Sequence, residues 1–323
     1  MTRRRRLGLS AALVAAWVAG STLGAATPPA PAEATPIFQI EQAHAEHIPV
    51  LDGSEPIFVL LIGSDARLPD GEDPATTRAD SIHILAINPA KAKATIVGFP
   101  RDSFVPVPGS GSTKINAAMS IGGPELVVET VEQVTGLTMD YWALTWFEGF
   151  KSMIRDVGGL PMDVPFDVFD TLAGAEITAG EQVLSGPDAL AFARARHSLP
   201  SGDFGRSENQ GRLMVAAIAQ FRKEFSKDPS RLLTWIGAGL RNAQTDVPID
   251  ELMTLAFTAT TINPKRVVNV VLPGSIGMSG TTSIVSLNQT VLDAVSGDLE
   301  NDGLLKKANI PPSPNADLVG SET

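Results

Sequence analysis

The sequence predicts an α/β domain, in which strands buried on both faces are covered by amphipathic helices. Residues 57–62 form a continuous apolar run that stops at Gly63, a pattern typical of a strand covered on both sides. Further strands are predicted over 81–87 and 94–99, and the short turn between them indicates an antiparallel pair. Residues 231–243 and 249–262 have the spacing of amphipathic helices, and residues 266–272 that of another strand.

Composition and charge exclude several classes of function. The chain has 323 residues, of which 43% are apolar, and a net charge of -11 at pH 7. It can therefore bury one large core or two modest ones. The isoelectric point near 4.9 argues against a nucleic-acid partner, since basic charge should dominate such a surface. The absence of cysteine excludes disulfides, thiolate metal sites and a cysteine nucleophile.

Residues 1–26 predict an export segment. Four consecutive arginines precede residues 7–26, which carry no charge, and the positive-inside rule sends everything after them across the membrane. The run reaches the length of about 20 residues that a spanning helix needs. Its most apolar part has only signal-peptide length, and the small residues 24–26 could be a cleavage site. We expect a single-pass membrane anchor with an extracytoplasmic domain, with secretion after cleavage as the alternative.

The remaining organisation follows from composition. Residues 27–55 are rich in proline and alanine and predict an extended linker. The folded domain is expected over 56–299. Residues 300–323, with three prolines and a polar end, predict a flexible C-terminal tail.

Charged residues flank the first three strands where a sheet would bring them together. Asp65 follows the first strand, Arg78 and Asp80 begin the second, and Arg101 follows the third. If the strands are adjacent and antiparallel, these groups share one edge. Two carboxylates with room for waters suit Mg²⁺, and guanidinium groups suit a pyrophosphate. The alternative is that these aspartates and Asp102 cap turns and pair with nearby arginines.

A second group of cations lies further along the chain. Residues 185–188 resemble a capping box with proline at the first helical position, which predicts a short helix that ends at Arg194 and Arg196. The next predicted helix places Arg206 and Gln210, four residues apart, on one face of its first turns. Free backbone amides there also favour an anion. An anion pocket and a surface of solvated salt bridges are the two interpretations.

Taken together, these segments resemble the LytR-CpsA-Psr (LCP) family, extracytoplasmic phosphotransferases of Gram-positive and actinobacterial cell walls. The order and spacing of the matching pieces extend over residues 56–220. In chain order they are Gly63-Ser-Asp-Ala-Arg67, Arg78-Ala-Asp80, Pro100-Arg-Asp102, Lys114-Ile-Asn-Ala-Ala118, Gly122-Gly123, Gly158-Gly159, Arg194-Ala-Arg196 and Asp203-Phe-Gly-Arg206 with Gln210.

The resemblance implies a mixed central β-sheet sandwiched between helices, with a hydrophobic groove for a polyprenyl tail. It implies transfer of a phosphate-linked glycopolymer from a polyprenyl-pyrophosphate carrier to the muramic acid hydroxyl of peptidoglycan. The expected partners are that lipid-linked glycan, peptidoglycan and, through the N-terminal segment, membrane lipid. A non-catalytic protein that binds or carries polyprenyl phosphates is the alternative.

The same resemblance assigns roles to individual residues. Asp65 and Asp80 would hold Mg²⁺, with Mn²⁺ as an alternative. The residues expected to contact the pyrophosphate are Arg78, Arg101, Lys114, Arg194, Arg196, Arg206 and Gln210. The expected catalytic group is Arg101, Arg194, Arg196, Asp203 and Arg206, in which Asp203 orients the arginines or assists the acceptor. The chain departs from the family at Asn209, where relatives often carry an arginine, and we expect one guanidinium fewer in the pocket.

Overall fold

The computed structural model describes residues 55–67 and 73–319. The predicted membrane segment, residues 1–26, and all but one residue of the predicted linker, 27–55, lie outside the described residues. Within the described ranges, no helix combines the length and the apolar character needed to cross a bilayer.

Groups of strands are separated by helices along the chain. In chain order, the strands are β1 (Ile57–Ser64), β2 (Ala79–Asn88), β3 (Lys93–Gly98), β4 (Phe104–Val107), β5 (Gly111–Lys114), β6 (Tyr141–Trp146), β7 (Leu160–Val164), β8 (Val168–Asp170), β9 (Ala175–Ile177), β10 (Gly180–Leu184), β11 (Ala243–Thr245), β12 (Val267–Val271), β13 (Gly274–Ser279) and β14 (Thr282–Leu287). The helices are α1 (Ala117–Thr135), α2 (Phe147–Asp156), α3 (Gly186–Arg194), α4 (Asp203–Lys227), α5 (Arg231–Asn242), α6 (Ile249–Thr261) and α7 (Gln289–Asp302).

Among the described residues, six strands form the central sheet, in the order β11-β6-β1-β2-β3-β12. Strand β1 is antiparallel to β2 and parallel to β6, and β2 is antiparallel to β3. The sheet is therefore mixed. The predicted antiparallel arrangement of the first three strands is confirmed, and so is the mixed α/β class.

Both faces of the sheet are covered, which explains why β1 is apolar throughout. Phe58, Leu60 and Ile62 belong to a core shared with α1 and α7 on one face. Ile57 and Val59 belong to the opposite face, where α6 and the middle of α4 pack. Because side chains alternate along a strand, a continuous apolar run is what two covered faces require.

A third cluster of buried side chains extends the domain beyond the end of this sheet. It joins α2, α3 and α4 to β7, β8 and β9. Strands β7 and β10 form one antiparallel pair, and β8 and β9 another. These segments hold α3 and the residues that follow it beside the N-terminal end of α4.

The C-terminal segment, residues 303–319, differs from the flexible tail that composition predicted. The predicted boundary at 299 falls inside α7, which ends at Asp302. Asn315 is buried and donates to the carbonyl oxygen of Gly205 at 3.1 Å, while Glu208 accepts from the backbone N–H of Asn315 at 3.2 Å. Ser313 also donates to Glu208, at 2.6 Å. The prediction was wrong because a proline-rich segment without periodicity can still dock through its polar groups.

Candidate active site

The predicted meeting of charged residues at one sheet edge is present in the structure. The backbone N–H of Asp65 donates to the carbonyl oxygen of Arg78 at 3.3 Å, and Asp65 Oδ1 accepts the backbone N–H of Arg78 at 3.2 Å. This continues the β1–β2 ladder beyond the irregularity at residues 63–64. Strand β3 ends beside them, and Arg101 Nη1 donates to Asp80 Oδ1 at 2.5 Å.

Residues from two distant parts of the sequence then converge on one carboxylate. Asp203, the first residue of α4, lies 3.2 Å from Arg196 Nη1, 3.3 Å from Arg206 Nη2 and 3.3 Å from Arg101 Nε. We call Asp80, Arg101, Arg196, Asp203 and Arg206 the Arg–Asp cluster. It holds three guanidinium groups and two carboxylates. The excess of positive charge suits an anion.

Burial and mutual attraction set the electrostatics of this cluster. Burial alone would raise the pKa of Asp203, but the charges of Arg206, Arg101 and Arg196 outweigh it and hold that pKa below its usual value. Burial alone would lower the pKa of Arg101, and attraction to Asp80 and Asp203 raises it instead. For Arg206, burial is the larger effect, and its pKa falls below the usual value.

Arg206 is the most enclosed cation of the cluster. The residue is 5% exposed, and its Nε has no hydrogen-bond partner in the described structure. A buried N–H without a partner is costly unless an acceptor reaches it. Arg206 therefore fits an anion that approaches from the cavity it lines.

That cavity has a volume of about 380 Å³ and lies between the sheet and helices α2 to α5. Its walls are mostly apolar and include Phe150, Ile154 and Leu213. Polar side chains also line it, among them Ser64, Asp80, Ser81, Thr145, Arg194, Arg206 and Gln210. An elongated apolar ligand with an anionic head fits such a lining.

Helices α3 and α4 deliver the cations to the cavity as the sequence predicts. Ser185 Oγ caps α3 by accepting the backbone N–H of Asp188 at 3.3 Å. Arg194 ends that helix, with its guanidinium 4.9 Å from the ring centre of Phe147, a cation–π contact. Gln210 donates to the carbonyl oxygen of Ala193 at 3.1 Å and so ties α4 to α3.

Four of the seven predicted pyrophosphate residues do not line the cavity, namely Arg78, Arg101, Lys114 and Arg196. Arg101 and Arg196 belong to the Arg–Asp cluster beside it. Lys114 Nζ pairs with Asp102 Oδ1 at 2.9 Å. Arg78 joins the sheet edge through its backbone. Asp102 thus pairs with the lysine, whereas Asp80 is the carboxylate that pairs with Arg101.

Asp170 is a positioning residue that the sequence did not reveal. It is buried at the end of β8, and its Oδ2 accepts the backbone N–H groups of Arg196 and His197 at 2.8 Å each. Although burial alone would raise its pKa, these bonds and those from the turn after β8 lower it to about 2. The carboxylate fixes the segment after α3 and so places Arg196 near Asp203. An aspartate before the turn at 171–174 is the signal that could have indicated this role.

Asn209 lies beside the C-terminal segment and is not among the residues that line the cavity. It is fully buried, and its Oδ1 is 3.5 Å from Nδ2 of Asn315 in the C-terminal segment. Its neighbours on α4, Arg206 and Gln210, line the cavity instead. Asn209 therefore contacts the C-terminal segment, and the expectation of one guanidinium fewer in the pocket stays a prediction.

The two carboxylates proposed for a metal can be compared with what Mg²⁺ requires. Asp65 and Asp80 lie at the same sheet edge and each use Oδ1 in the contacts described above. Within the described ranges, no group of three or more histidine, aspartate and glutamate side chains could hold a metal ion. Hard oxygen donors from one or two carboxylates, completed by water, are the usual Mg²⁺ set. The residues present fit that ion.

The fold and the site together define an α/β protein with an apolar cavity that ends in guanidinium groups. The chain belongs to the LytR_cpsA_psr family, whose model matches residues 31–301. It is 39% identical, over 166 residues, to the polyisoprenyl-teichoic acid–peptidoglycan teichoic acid transferase TagU of Bacillus mycoides. That match covers 51% of this chain and 52% of TagU. The chain thus spans about half the length of the curated relatives it matches.

Solved structures share the fold. The crystal structure of Bacillus subtilis TagV aligns with a TM-score of 0.65 at 28% identity, over 78% of this chain and 98% of that one. A structure of TagT bound to LIIa-WTA aligns with a TM-score of 0.63 at 25% identity, over 77% of this chain and 91% of that one. These similarities confirm the family assignment and the fold that the sequence motifs implied.

Proposed function

We propose that this protein transfers a phosphate-linked glycopolymer from a polyprenyl-pyrophosphate carrier to a peptidoglycan hydroxyl. The observation that carries the proposal is the cavity of about 380 Å³, which is apolar along its walls and bordered by Arg194, Arg206 and Asp80. Its similarity to TagU, a polyisoprenyl-teichoic acid–peptidoglycan teichoic acid transferase, supports it. Residues 1–26 would hold the domain at the outer face of the cell membrane.

In this proposal, the apolar walls bind the first part of the polyprenyl tail and the Arg–Asp cluster binds the pyrophosphate. Arg206 offers a buried N–H that lacks a partner. Arg194 holds its guanidinium over the ring of Phe147 at the same cavity, and the N–H groups at the edge of that guanidinium can contact the headgroup. Fixed guanidinium groups in a partly dry site stabilise the charge that develops at phosphorus more than water would.

Asp65 and Asp80 would hold Mg²⁺, and the bound ion would neutralise part of the pyrophosphate charge. Asp203 would act as a positioning residue. Because the surrounding arginines lower its pKa, it is a weak proton acceptor and keeps its negative charge. It is therefore suited to hold Arg101, Arg196 and Arg206 in one orientation.

The reaction would follow from this placement. The acceptor hydroxyl oxygen bonds to the phosphorus attached to the sugar, and the proton of that hydroxyl passes to solvent water. The bond from this phosphorus to the bridging oxygen breaks, and polyprenyl phosphate leaves with the bonding electrons. The chain's own contribution is to align the two reactants and to stabilise charge, which is most of what phosphoryl transfer requires.

The test uses the full chain with Mg²⁺, a polyprenyl-pyrophosphate glycan and a peptidoglycan acceptor. We expect Arg101→Ala and Arg194→Ala each to lower transfer by about 100-fold. Arg155→Ala is the matched control, since Arg155 lies on α2 with its side chain 72% exposed, and it should transfer normally. Circular dichroism and thermal unfolding establish that each variant is folded.

Two outcomes would contradict the proposal. Undiminished transfer by the folded arginine variants would refute the site. If the wild type transfers nothing yet binds the lipid tightly, the protein is a binding or carrier protein.

A further inference from the structure

Helix α6 is apolar but poorly buried. Of its 13 residues, only Thr260 is buried. Ile249, Met253 and Phe257 are 59%, 43% and 55% exposed, and their spacing of four places them along one side of the helix. We call these three residues the α6 stripe. An exposed apolar row of this kind usually marks an interaction surface.

Cations surround the C-terminal end of the same helix. Arg222 of α4 donates to the carbonyl oxygens of residues 261 and 262, at 3.1 and 2.6 Å. Lys223 beside it is exposed, and so are Lys265 and Arg266 in the turn that follows the helix. This group of cations contrasts with the net charge of -11 of the whole chain.

The acidic groups of α6 lie at its other end. Asp250 and Glu251 are in the first turn, and Glu251 is hydrogen-bonded to the hydroxyl of Tyr141. The surface therefore combines the apolar row of α6 with cations that α4 and the following turn place at the end of α6 opposite its acidic turn. Exposed apolar side chains next to cations bind the surface of anionic bilayers.

The start of the described chain lies at the same end of the sheet as the basic end of α6. Ile57, where β1 begins, is paired with Ile87 near the end of β2. The turn that follows β2 is hydrogen-bonded to the residues just after α6. The backbone N–H of Asn263 donates to the carbonyl oxygen of Ala92 at 3.1 Å. The described chain therefore begins near these cations.

The stripe is also connected with the cavity. Helix α5 packs against α6 and contributes Gly239 to the cavity lining. A cavity of about 380 Å³ has the size of a drug-like ligand site, so it encloses only part of a long polyprenyl chain. The remainder has to stay in an apolar phase.

We propose that the α6 stripe and the cations at the end of α6 dock the domain on an anionic lipid bilayer. The apolar row enters the boundary between headgroups and acyl chains, and the cations contact lipid phosphates. The purpose of this contact rests on the proposed function, since it would hold the cavity next to a lipid-linked donor. The contact itself does not depend on catalysis.

The absence of cysteine from the chain permits a direct test. Met253→Cys and Phe257→Cys are labelled in the full chain with an environment-sensitive fluorophore. The control is Phe169→Cys on β8, since Phe169 is 54% exposed on a part of the domain distant in sequence. Each is reconstituted in vesicles of phosphatidylcholine, with or without an equimolar amount of phosphatidylglycerol.

We expect a blue shift of emission at positions 253 and 257 in the anionic vesicles, a smaller shift in neutral vesicles and none at position 169. The double variant Lys265→Glu, Arg266→Glu should lose the difference between the two lipid compositions. The proposal is overturned if the α6 positions do not shift or if position 169 shifts equally. A shift without vesicles that grows with protein concentration would overturn it too, because a second copy of the chain would then cover the stripe.

An activity measurement separates this inference from the proposed function. Phe257→Asp should lose transfer from a donor embedded in anionic vesicles and retain transfer from a short-chain donor in solution. Equal transfer from both donors would overturn the docking role. If wild type transfers from neither donor, the proposed function fails, and the fluorescence shifts alone decide whether the surface binds lipid.

Discussion

Acidification should destabilise this protein through one buried histidine. His83 on β2 is 0% exposed. Its Nε2 lies 3.0 Å from the carbonyl oxygen of Ser207, and its Nδ1 lies 3.1 Å from Oγ of Ser81. Since a carbonyl oxygen only accepts, Nε2 carries the proton and Nδ1 accepts from the hydroxyl. The neutral imidazole therefore satisfies both neighbours and ties the start of α4 to the sheet.

Burial lowers the pKa of His83 from 6.5 to about 4, although the hydrogen bond to Ser207 acts in the opposite direction. The unfolded chain therefore binds a proton at this residue at a higher pH than the folded chain does. The free energy of unfolding falls as the pH drops below the pKa of His83 in the unfolded chain. It stops changing below the pKa of His83 in the folded chain. The total loss is on the order of 3 kcal/mol, of which about 2 kcal/mol is lost by about pH 5.

The measurement is urea unfolding of the full chain between about pH 7 and about pH 5, for wild type and for His83→Gln. Glutamine can still donate to the Ser207 carbonyl but does not titrate in this range. All other titrating groups are common to both proteins, so the difference between the two pH profiles isolates His83. Parallel profiles for wild type and His83→Gln would refute the reasoning.

Three further predictions concern the surroundings of the Arg–Asp cluster. Asp203→Asn preserves the shape of the side chain but removes the charge that three arginines share. We therefore expect the free energy of unfolding to fall by about 3 kcal/mol and the rate of transfer to fall by about 100-fold. A wild-type value for either measurement would contradict the role given to Asp203. In Gly98→Ala, the new Cβ would lie 2.3 Å from Ser207 Oγ. Calorimetry should therefore show a loss of about 1–3 kcal/mol in the free energy of unfolding. An unchanged melting temperature would mean that α4 can shift freely. Asn315→Ala removes the bond to Gly205 and should cost about 1–2 kcal/mol, with faster hydrogen exchange in residues 303–319; unchanged exchange there would show that the segment is held by other contacts.

The sheet edge could be predicted from the sequence because it depends on local signals. A continuous apolar run, a short turn and a capping serine each determine the secondary structure of the residues next to them. Asp65, Arg78 and Arg101 then meet through strand direction alone. The approach of Arg206 and Gln210 to one cavity likewise follows from helical spacing.

The features of the site that could not be predicted depend on contacts between segments far apart in the chain. Asp170 acts on Arg196 across 26 residues, and Asn315 reaches Gly205 across 110. Neither residue belongs to a periodic pattern that would indicate its partner. The orientation of Asn209 was missed for the same reason, since only the docked C-terminal segment explains which side of α4 it occupies.

Helix α4 thus makes contacts on two sides, and both sets of contacts limit how it can be exchanged between relatives. Arg206 and Gln210 contact the cavity, whereas Glu208 and Asn209 contact the C-terminal segment. A chimera that imports α4 from a relative with arginine at position 209 would press a buried cation against Asn315. Helix α4 and residues 303–319 are therefore structurally coupled, and a chimera would have to take both segments from the same parent protein.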